Sequence, residues 1–346
     1  MPLTIVRNDI TKMDVDAIVN SSNPNLKKGG GVCGVIFEMA GVLNLQEECD
    51  AIGHCERGEA VITKGYNLPA RNIIHTVGPV WNGGKSGESF LLRKCYTNSL
   101  DLAFKHGCES IAFPLISSGI YGYPKEEALQ IALDAIRDFL FEHELDVYLV
   151  VYDNESFSIS KDLSFDIKRY IDDNYVDEHR SYKNHTRSKH HLYKGSLLAK
   201  LIEEDSSVSM SYDSEVMWEA SQKKERSLES LQEELADSFS ERLIRLIDEK
   251  GLKDPEVYKR ANINRQLFSK IRCNHGYQPS KQTAIALAIA LCLTLDETID
   301  FLERAGYALS KSIQADVIVE YFIEHGIYDI YKVNSALFDF TQTTLN

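Results

Sequence analysis

AIVNSSNPNLKKGGGVCGVIFEMA, residues 17–40, passes from an apolar, β-branched run through a polar loop and three glycines into a helical period. Strand, loop and helix in that order form the unit of an α/β sheet, and such sheets hold ligands in the loops at their strands' C-terminal ends. Gly29, Gly30 and Gly31 let a ligand approach bare backbone N–H groups. The helix that follows adds partial positive charge, so the turn suits a phosphate. Gly29-Gly30-Gly31-Val32-Cys33-Gly34 also fits the dinucleotide pattern Gly-x-Gly-x-x-Gly. That pattern needs its glycines tight against the strand, whereas Ser21 to Lys28 intervene here, and no clean strand ends in an acid about 20 positions on. The dinucleotide reading is set aside.

Outward from this stretch the apolar period keeps alternating. Leu3 to Val6, Ala17 to Val19, Glu59 to Thr63, Asn72 to Val77 and Ser110 to Phe113 read as strands, and Val147 to Tyr152 is a wholly apolar strand of the kind covered on both faces. Val35 to Ala40, Glu88 to His106, Lys125 to Glu142 after Pro124, and the amphipathic segment Leu163 to Tyr175 read as helices. This is an α/β sandwich.

With 346 residues and 43% hydrophobic content, the chain is long enough for two domains. We expect an α/β domain over 1–178, a polar flexible linker over 179–227 and an all-α domain over 228–346. A net charge of −14 opposes indiscriminate nucleic-acid binding by the whole chain. Seven cysteines without a Cys-x-x-Cys pair fit reduced thiols. The N-terminus shows no signal-peptide pattern, and the longest apolar run, Ala284 to Leu295, falls short of the ~20 residues a spanning helix needs. The expectation is a cytoplasmic protein with no membrane association.

Two further clusters join the glycine turn. Asn8-Asp9-Ile10-Thr11 ends the first strand, and SIAFPLISSGIYGYP, residues 110–124, carries a strand into small hydroxyl residues, glycine and a helix. The latter is a second anion-binding turn, and two such turns can clamp a diphosphate between them. Together with "VDAIVN" and "GEAVITKGYNLPARNIIHTVGP", these motifs resemble the macrodomain family, in its MacroD-type branch that includes bacterial O-acetyl-ADP-ribose deacetylases. The resemblance covers about Leu3 to Asp153 in matching order and spacing.

That resemblance implies a three-layer α/β/α fold with a mixed sheet and a pocket for ADP-ribose, free or attached to a protein or small molecule. It implies that Asp9 accepts from the adenine amino group, that the Ile10 backbone frames the base and that Tyr152 stacks on it. It further implies that Asn23 orients the attacking water at the distal ribose while Asn20 braces the loop. Gly30, Gly31 and Val32 would offer N–H groups, and Ser117, Ser118, Gly119, Ile120 and Tyr121 would wrap the diphosphate, with Tyr121 also packing over the distal ribose. One departure matters: many MacroD-type hydrolases have an aspartate where this chain has Cys33, and Phe37 stands where a histidine is common. A thiol is a poor substitute for a carboxylate that orients water. Alphavirus macrodomains resemble this chain in their Gly-Gly-Gly-Val-Cys turn and are associated with ADP-ribose hydrolysis, which implies that the substrate's own phosphate can hold the water.

The expected activity is removal of mono-ADP-ribose from acidic side chains, or deacetylation of O-acetyl-ADP-ribose, with no cofactor and no metal. The alternative is a non-catalytic ADP-ribose reader coupled to the helical domain. A third use of the same fold is binding RNA or an RNA-processing enzyme. Cys33 has no paired His or Asp nearby in sequence to make it a nucleophile. His75, in the strand before Gly78-Pro79, reads as a core residue rather than a base. The linker histidines His179, His185, His190 and His191 lack helical metal-ligand spacing, and its basic residues read as a solvated tether.

In the helical domain, Val257 to Ala261, the turn Asn262-Ile263-Asn264 and Arg265 to Arg272 resemble a helix-turn-helix of the lambda-repressor type. Asn262 suits the left-handed turn position and Asn264 suits a cap. Arg265, Gln266, Ser269, Lys270 and Arg272 are candidate DNA contacts, because Val257 to Lys281 holds six cations and no acid. The bland reading is that these helices serve dimerisation or a protein partner.

Overall fold

The computed structural model describes residues 2–152, 162–171, 237–274 and 276–345. The expected linker with its histidines, residues 172–175 of the helix begun at Leu163, and residues 228–236 of the helical domain lie outside the described residues. Six strands form one mixed sheet: β1 (Leu3–Arg7), β2 (Ala17–Ser21), β3 (Ala60–Lys64), β4 (Asn72–Thr76), β5 (Ser110–Pro114) and β6 (Asp146–Val151). Their order is β1-β6-β5-β2-β4-β3, parallel throughout except for the antiparallel β3–β4 pair. All six match strands expected from the sequence, five from short β-like runs and β6 from its wholly apolar run. The residues from Ala17 to Asn20 in β2 are fully buried, as a strand covered on both faces must be.

This order fixes where a ligand can lie. The C-terminal ends of β1, β6, β5 and β2 stand side by side along one edge, and three strand spacings put the first about 14 Å from the last. The chain leaves those four ends at Asn8-Asp9, Tyr152, Leu115–Tyr121 and Ser22-Asn23 respectively.

The layers are built by α1 (Gly31–Ala40), α2 (Val42–Ile52), α3 (Glu88–Lys105), α4 (Lys125–Glu142) and α5 (162–171). α1 starts four residues earlier than the apolar period suggested, because the last glycine of the turn is already its first residue. α2 was not expected. Only Leu45 and Cys49 of it are buried, too sparse a stripe to show as a period. It is bracketed by Gly41 and Gly53, both at positive φ and each closing a helix through its own N–H, onto Phe37 and Cys49.

From residue 238 the chain is helical: α6 (Phe239–Glu249), α7 (Asp254–Arg260), α8 (Arg265–Cys273), α9 (Lys281–Ala290), α10 (Leu295–Glu303), α11 (Gln314–Glu324) and α12 (Ile330–Thr341). The apolar run from Ala284 is the buried helix α9 followed by a turn in which Thr294 caps α10. Between α7 and α8, Asn262 is left-handed at φ 55°, and the Asn264 side chain accepts from Leu267 N at 2.7 Å. Residues 1–168 and 238–346 form one compact unit. Asn262 is a principal link in it. Its Oδ1 accepts from Leu3 N at 2.8 Å and its Nδ2 donates to Leu3 O at 2.7 Å, so a side-chain amide stands in for a neighbouring strand at the free edge of β1.

Candidate ligand cleft

A cleft of about 260 Å³ lies between the glycine turn and the loop after β5. One wall is Ser22, Asn23 and Gly30 to Cys33; the other is Ser117 and Gly119 to Tyr121. The two turns face each other. Ile120 Cδ1 lies 3.2 Å from the place a Cβ on Gly30 would occupy and 3.6 Å from the corresponding place on Gly31. Gly31 has φ +61°, and a Cβ on Gly34 would stand 2.6 Å from the Gly29 carbonyl oxygen, so backbone angle holds the first and space the second to glycine.

Both walls leave main-chain donors unspent. Gly30 caps α1 without a side-chain acceptor, so the amides of Gly31, Val32 and Cys33 have no partner within the helix. In the facing loop the amides of Ser118, Gly122 and Tyr123 donate to Leu115, Gly119 and Ser117 carbonyls. Among the described residues, those of Gly119, Ile120 and Tyr121 have no acceptor. Two sets of free N–H groups, one at a helix N-terminus, therefore converge on one space, which is the electrostatics a diphosphate requires. Ser117 is left-handed at φ 64° and buried, and its hydroxyl has no partner; Gly78 makes room for it, since a Cβ there would meet Ser117 Oγ at 2.1 Å. The Ser118 hydroxyl turns back onto the Leu115 carbonyl at 2.8 Å and braces the loop.

Asn23 is held at both ends of its amide by Lys27: Nδ2 donates to the carbonyl at 2.6 Å and Oδ1 accepts from the N–H at 3.2 Å. One Nδ2 hydrogen remains for the cleft. Asn20 sits beneath, fully buried, with Nδ2 3.0 Å from His75 Nδ1 and 3.7 Å from Cys33 Sγ. Cys33 lines the cleft, and its other polar neighbour is the Lys27 carbonyl at 3.9 Å, so no base stands beside the thiol. Phe37 is fully buried in the core.

Along the edge, Asp9 caps a short 3-10 turn over Ile10–Lys12, with Oδ1 accepting from Thr11 N at 3.0 Å and Thr11 Oγ1 at 2.7 Å. Partial burial alone would raise its carboxyl. The Thr11 hydrogen bonds and the nearby Lys12 ammonium outweigh that and hold it below the usual carboxylate range. Oδ2, with Lys12 Nζ at 3.8 Å, keeps open acceptor capacity. The Ile10 side chain is in the core, leaving only its backbone to the ligand edge. Tyr152 is 74% exposed, a free ring face rather than a core residue.

In the helical module, Arg265, Gln266, Ser269 and Lys270 are exposed on α8. Arg272 is paired with Asp254. The acid-free stretch is largely neutralised from outside: Arg260 pairs with Glu256 at 2.6 Å and Lys281 with Asp316 at 2.5 Å, while Lys259 donates to the Phe141 carbonyl at 2.5 Å. Among the described residues, no helix is long and apolar enough to cross a membrane.

A mixed sheet with two opposed, donor-rich turns on its C-terminal edge defines the class of α/β protein to which this chain is compared. Residues 19–132 match the Macro domain family model. The macro domain-containing protein CT2219 of Chlorobaculum tepidum is 56% identical over 135 residues, which is 39% of this chain and 78% of that protein. The O-acetyl-ADP-ribose deacetylase of Cronobacter sakazakii is 48% identical over 161 residues, 45% of this chain and 89% of its own. The ADP-ribose glycohydrolase MACROD1 of Rattus norvegicus is 48% identical over 143 residues, 41% of this chain and 55% of its own. The chain belongs to the macro domain family.

Three features of the site escaped the sequence reading: the left-handed Ser117, the space Gly78 leaves for it, and the buried hydrogen bonds joining Asn20 to His75. The small residues flanking both loops were the available signal for the first two. The third needed the register that sets Asn20 opposite His75 on β2 and β4.

Proposed function

We propose that the cleft binds ADP-ribose and that the protein hydrolyses mono-ADP-ribose esters of acidic side chains or O-acetyl-ADP-ribose. The observation that carries this reading is the pair of facing turns whose main-chain amides, Gly31 to Cys33 and Gly119 to Tyr121, have no acceptor among the described residues. The order of strand ends then orients the ligand. Adenine lies at Asp9 and Tyr152, the diphosphate between the two turns, and the distal ribose at Asn23 and the start of α1. Asp9 Oδ2 accepts from the adenine amino group, and the exposed Tyr152 ring stacks on the base.

At the distal ribose, Asn23 is fixed by its two bonds to Lys27 and turns its remaining N–H toward a water. For an acidic side-chain ester, that water attacks the anomeric carbon, the bond to the carboxylate oxygen breaks, and the carboxylate leaves with the electron pair. The water's proton passes to a phosphate oxygen. Tyr121 packs over the ribose and excludes bulk solvent. Placement of charge and water supplies the rate, with no covalent intermediate on Cys33, because neither the Asn20 amide nor the Lys27 carbonyl beside that thiol serves as its base.

Calorimetry with ADP-ribose, together with release of labelled ADP-ribose from a protein modified on acidic residues, tests the reading. Micromolar binding and turnover support it; no heat with ADP-ribose overturns the site, and binding without release overturns the hydrolase. The second outcome would favour the reader. The observation that supports the reader is Asn262, which fastens the helical module to the strand leading into Asp9.

A further inference from the structure

One buried titratable group lies directly under the glycine turn and takes no part in the reaction above. His75 is fully buried on β4, with Nε2 2.9 Å from Thr63 Oγ1 and Nδ1 3.0 Å from Asn20 Nδ2. Cys49 Sγ, from α2, lies 3.9 Å from Nε2, and the Phe37 ring meets the imidazole at 63°, edge to face. Burial drives the imidazole pKa down to about 4, so it is neutral and carries a single N–H.

The histidine tautomer sets the direction of every bond in this cluster. In the tautomer with its proton on Nε2, that N–H donates to Thr63 Oγ1 at 2.9 Å and the hydroxyl hydrogen is left for the Lys64 carbonyl at 3.4 Å. Nδ1 is then an acceptor, and the group facing it must be the Asn20 amide nitrogen. The second hydrogen of that nitrogen falls toward Cys33 Sγ at 3.7 Å. Asn20 Oδ1 is left buried without a partner. An orphaned acceptor is a cost that the reverse amide orientation would shift to the amide nitrogen, and a proton on Nε2 holds the amide in the orientation described.

We propose that His75 is a positioning residue: by accepting from Asn20 it turns the remaining amide N–H onto Cys33 and so fixes the floor of the cleft where water meets the distal ribose. This role rests on the hydrolase reading for its effect on turnover. It holds Cys33 and the first turn of α1 in register with Asn23, and touches no substrate itself. A defect here misplaces the reacting groups by a fraction of an ångström and leaves the diphosphate amides in place.

Two variants of the full chain and one spectrum test it. His75→Leu keeps the volume and removes both bonds; His75→Gln offers an acceptor and a donor in their place. We expect His75→Leu to lower kcat by ten- to a hundredfold, on the scale of a small misplacement near reacting atoms. The Kd for ADP-ribose should stay within about twofold, because a positioning defect spares ground-state binding. His75→Gln should recover most of kcat. An unchanged kcat in His75→Leu, or a loss of ADP-ribose affinity in step with kcat, overturns the proposal. Independently of turnover, 15N spectra of the unmodified protein should show His75 neutral with Nε2 protonated. A proton on Nδ1 would reverse the Asn20 amide and overturn the proposal even if His75→Leu failed to fold. If the protein binds ADP-ribose and never releases it from a substrate, the hydrolase reading fails while the spectrum still decides the bond directions.

Discussion

Two short turns open helices in this molecule, and they spend their polar groups in opposite ways. Gly29 to Gly31 leads into α1 with its amides unused, whereas Asn262 to Asn264 leads into α8 with Asn262 committed to Leu3 and Asn264 to its own helix cap. The first turn stands at the C-terminal edge of the sheet and the second at the start of β1. One is open for a ligand. The other is closed by the protein itself. A polar turn before a helix therefore does not define a site; unsatisfied donors at the sheet's C-terminal edge do.

The sharpest way to test the open end is Asn23→Ala. If Asn23 acts mainly on the transition state, kcat falls about a hundredfold, as on removal of a single preorganised donor, while the Kd for ADP-ribose changes little. Single-turnover release of label and calorimetry on the same preparation separate these effects. Equal turnover by variant and parent would remove Asn23 from the reaction.

The closed end should answer in stability rather than rate. Asn262→Ala removes both hydrogen bonds to Leu3 at a buried edge, which costs about 2 kcal/mol. It also puts alanine at φ 55°. Asn262→Gly relieves the backbone and still loses both hydrogen bonds. Chemical denaturation of the two variants divides the loss, and amide exchange at Leu3 should quicken in both. Unchanged exchange at Leu3 would mean that β1 does not depend on the helical module.

How much of this contrast was legible in the sequence follows from what each feature depends on. The six strands showed in short apolar runs, and the glycine turn and the loop after β5 showed in composition, because both must keep side chains away from a ligand. α2 did not show, since Leu45 and Cys49 alone face the core from it. Nor did the grip of Asn262 on Leu3, 259 residues away. A left-handed asparagine was readable there from its neighbours; the use of its side chain was not. The pairing of cations in the acid-free stretch from Val257 to Lys281 was hidden in the same manner, because Asp254, Glu256 and Asp316 lie outside it in sequence and against it in space.

Acid provides a smaller test, aimed at the buried floor between the two ends. His75 has a folded pKa lowered to about 4 by burial, against an ordinary value of 6.5. Between those values the unfolded chain binds a proton that the folded one refuses, so stability rises with pH there. The contribution is fully present above pH 6.5 and is lost as the pH falls toward 4, at about 1.4 kcal/mol per pH unit at most. Denaturation midpoints across that window measure it. His75→Gln should flatten the dependence, and an equal slope in the variant would assign it to other groups.

The faintest effect expected is on DNA. Of the six cations from Val257 to Lys281, four are spent: Lys259 on the Phe141 carbonyl, Arg260 on Glu256, Arg272 on Asp254 and Lys281 on Asp316. Arg265 and Lys270 remain, and Lys270 Nζ already lies 4.7 Å from the centre of the Tyr277 ring. Two cations release about two counterions, so any affinity for random duplex should fall with salt at a log–log slope no steeper than about −2. Fluorescence anisotropy at low and moderate salt should then show weak binding that disappears. A slope of about −5, the limit for all six, requires the spent cations to be freed, and Lys259 is bonded to the Phe141 carbonyl of the α/β domain. DNA would in that case have to break the three ion pairs inside the helical module, and only the freeing of Lys259 would loosen its hold on the α/β domain.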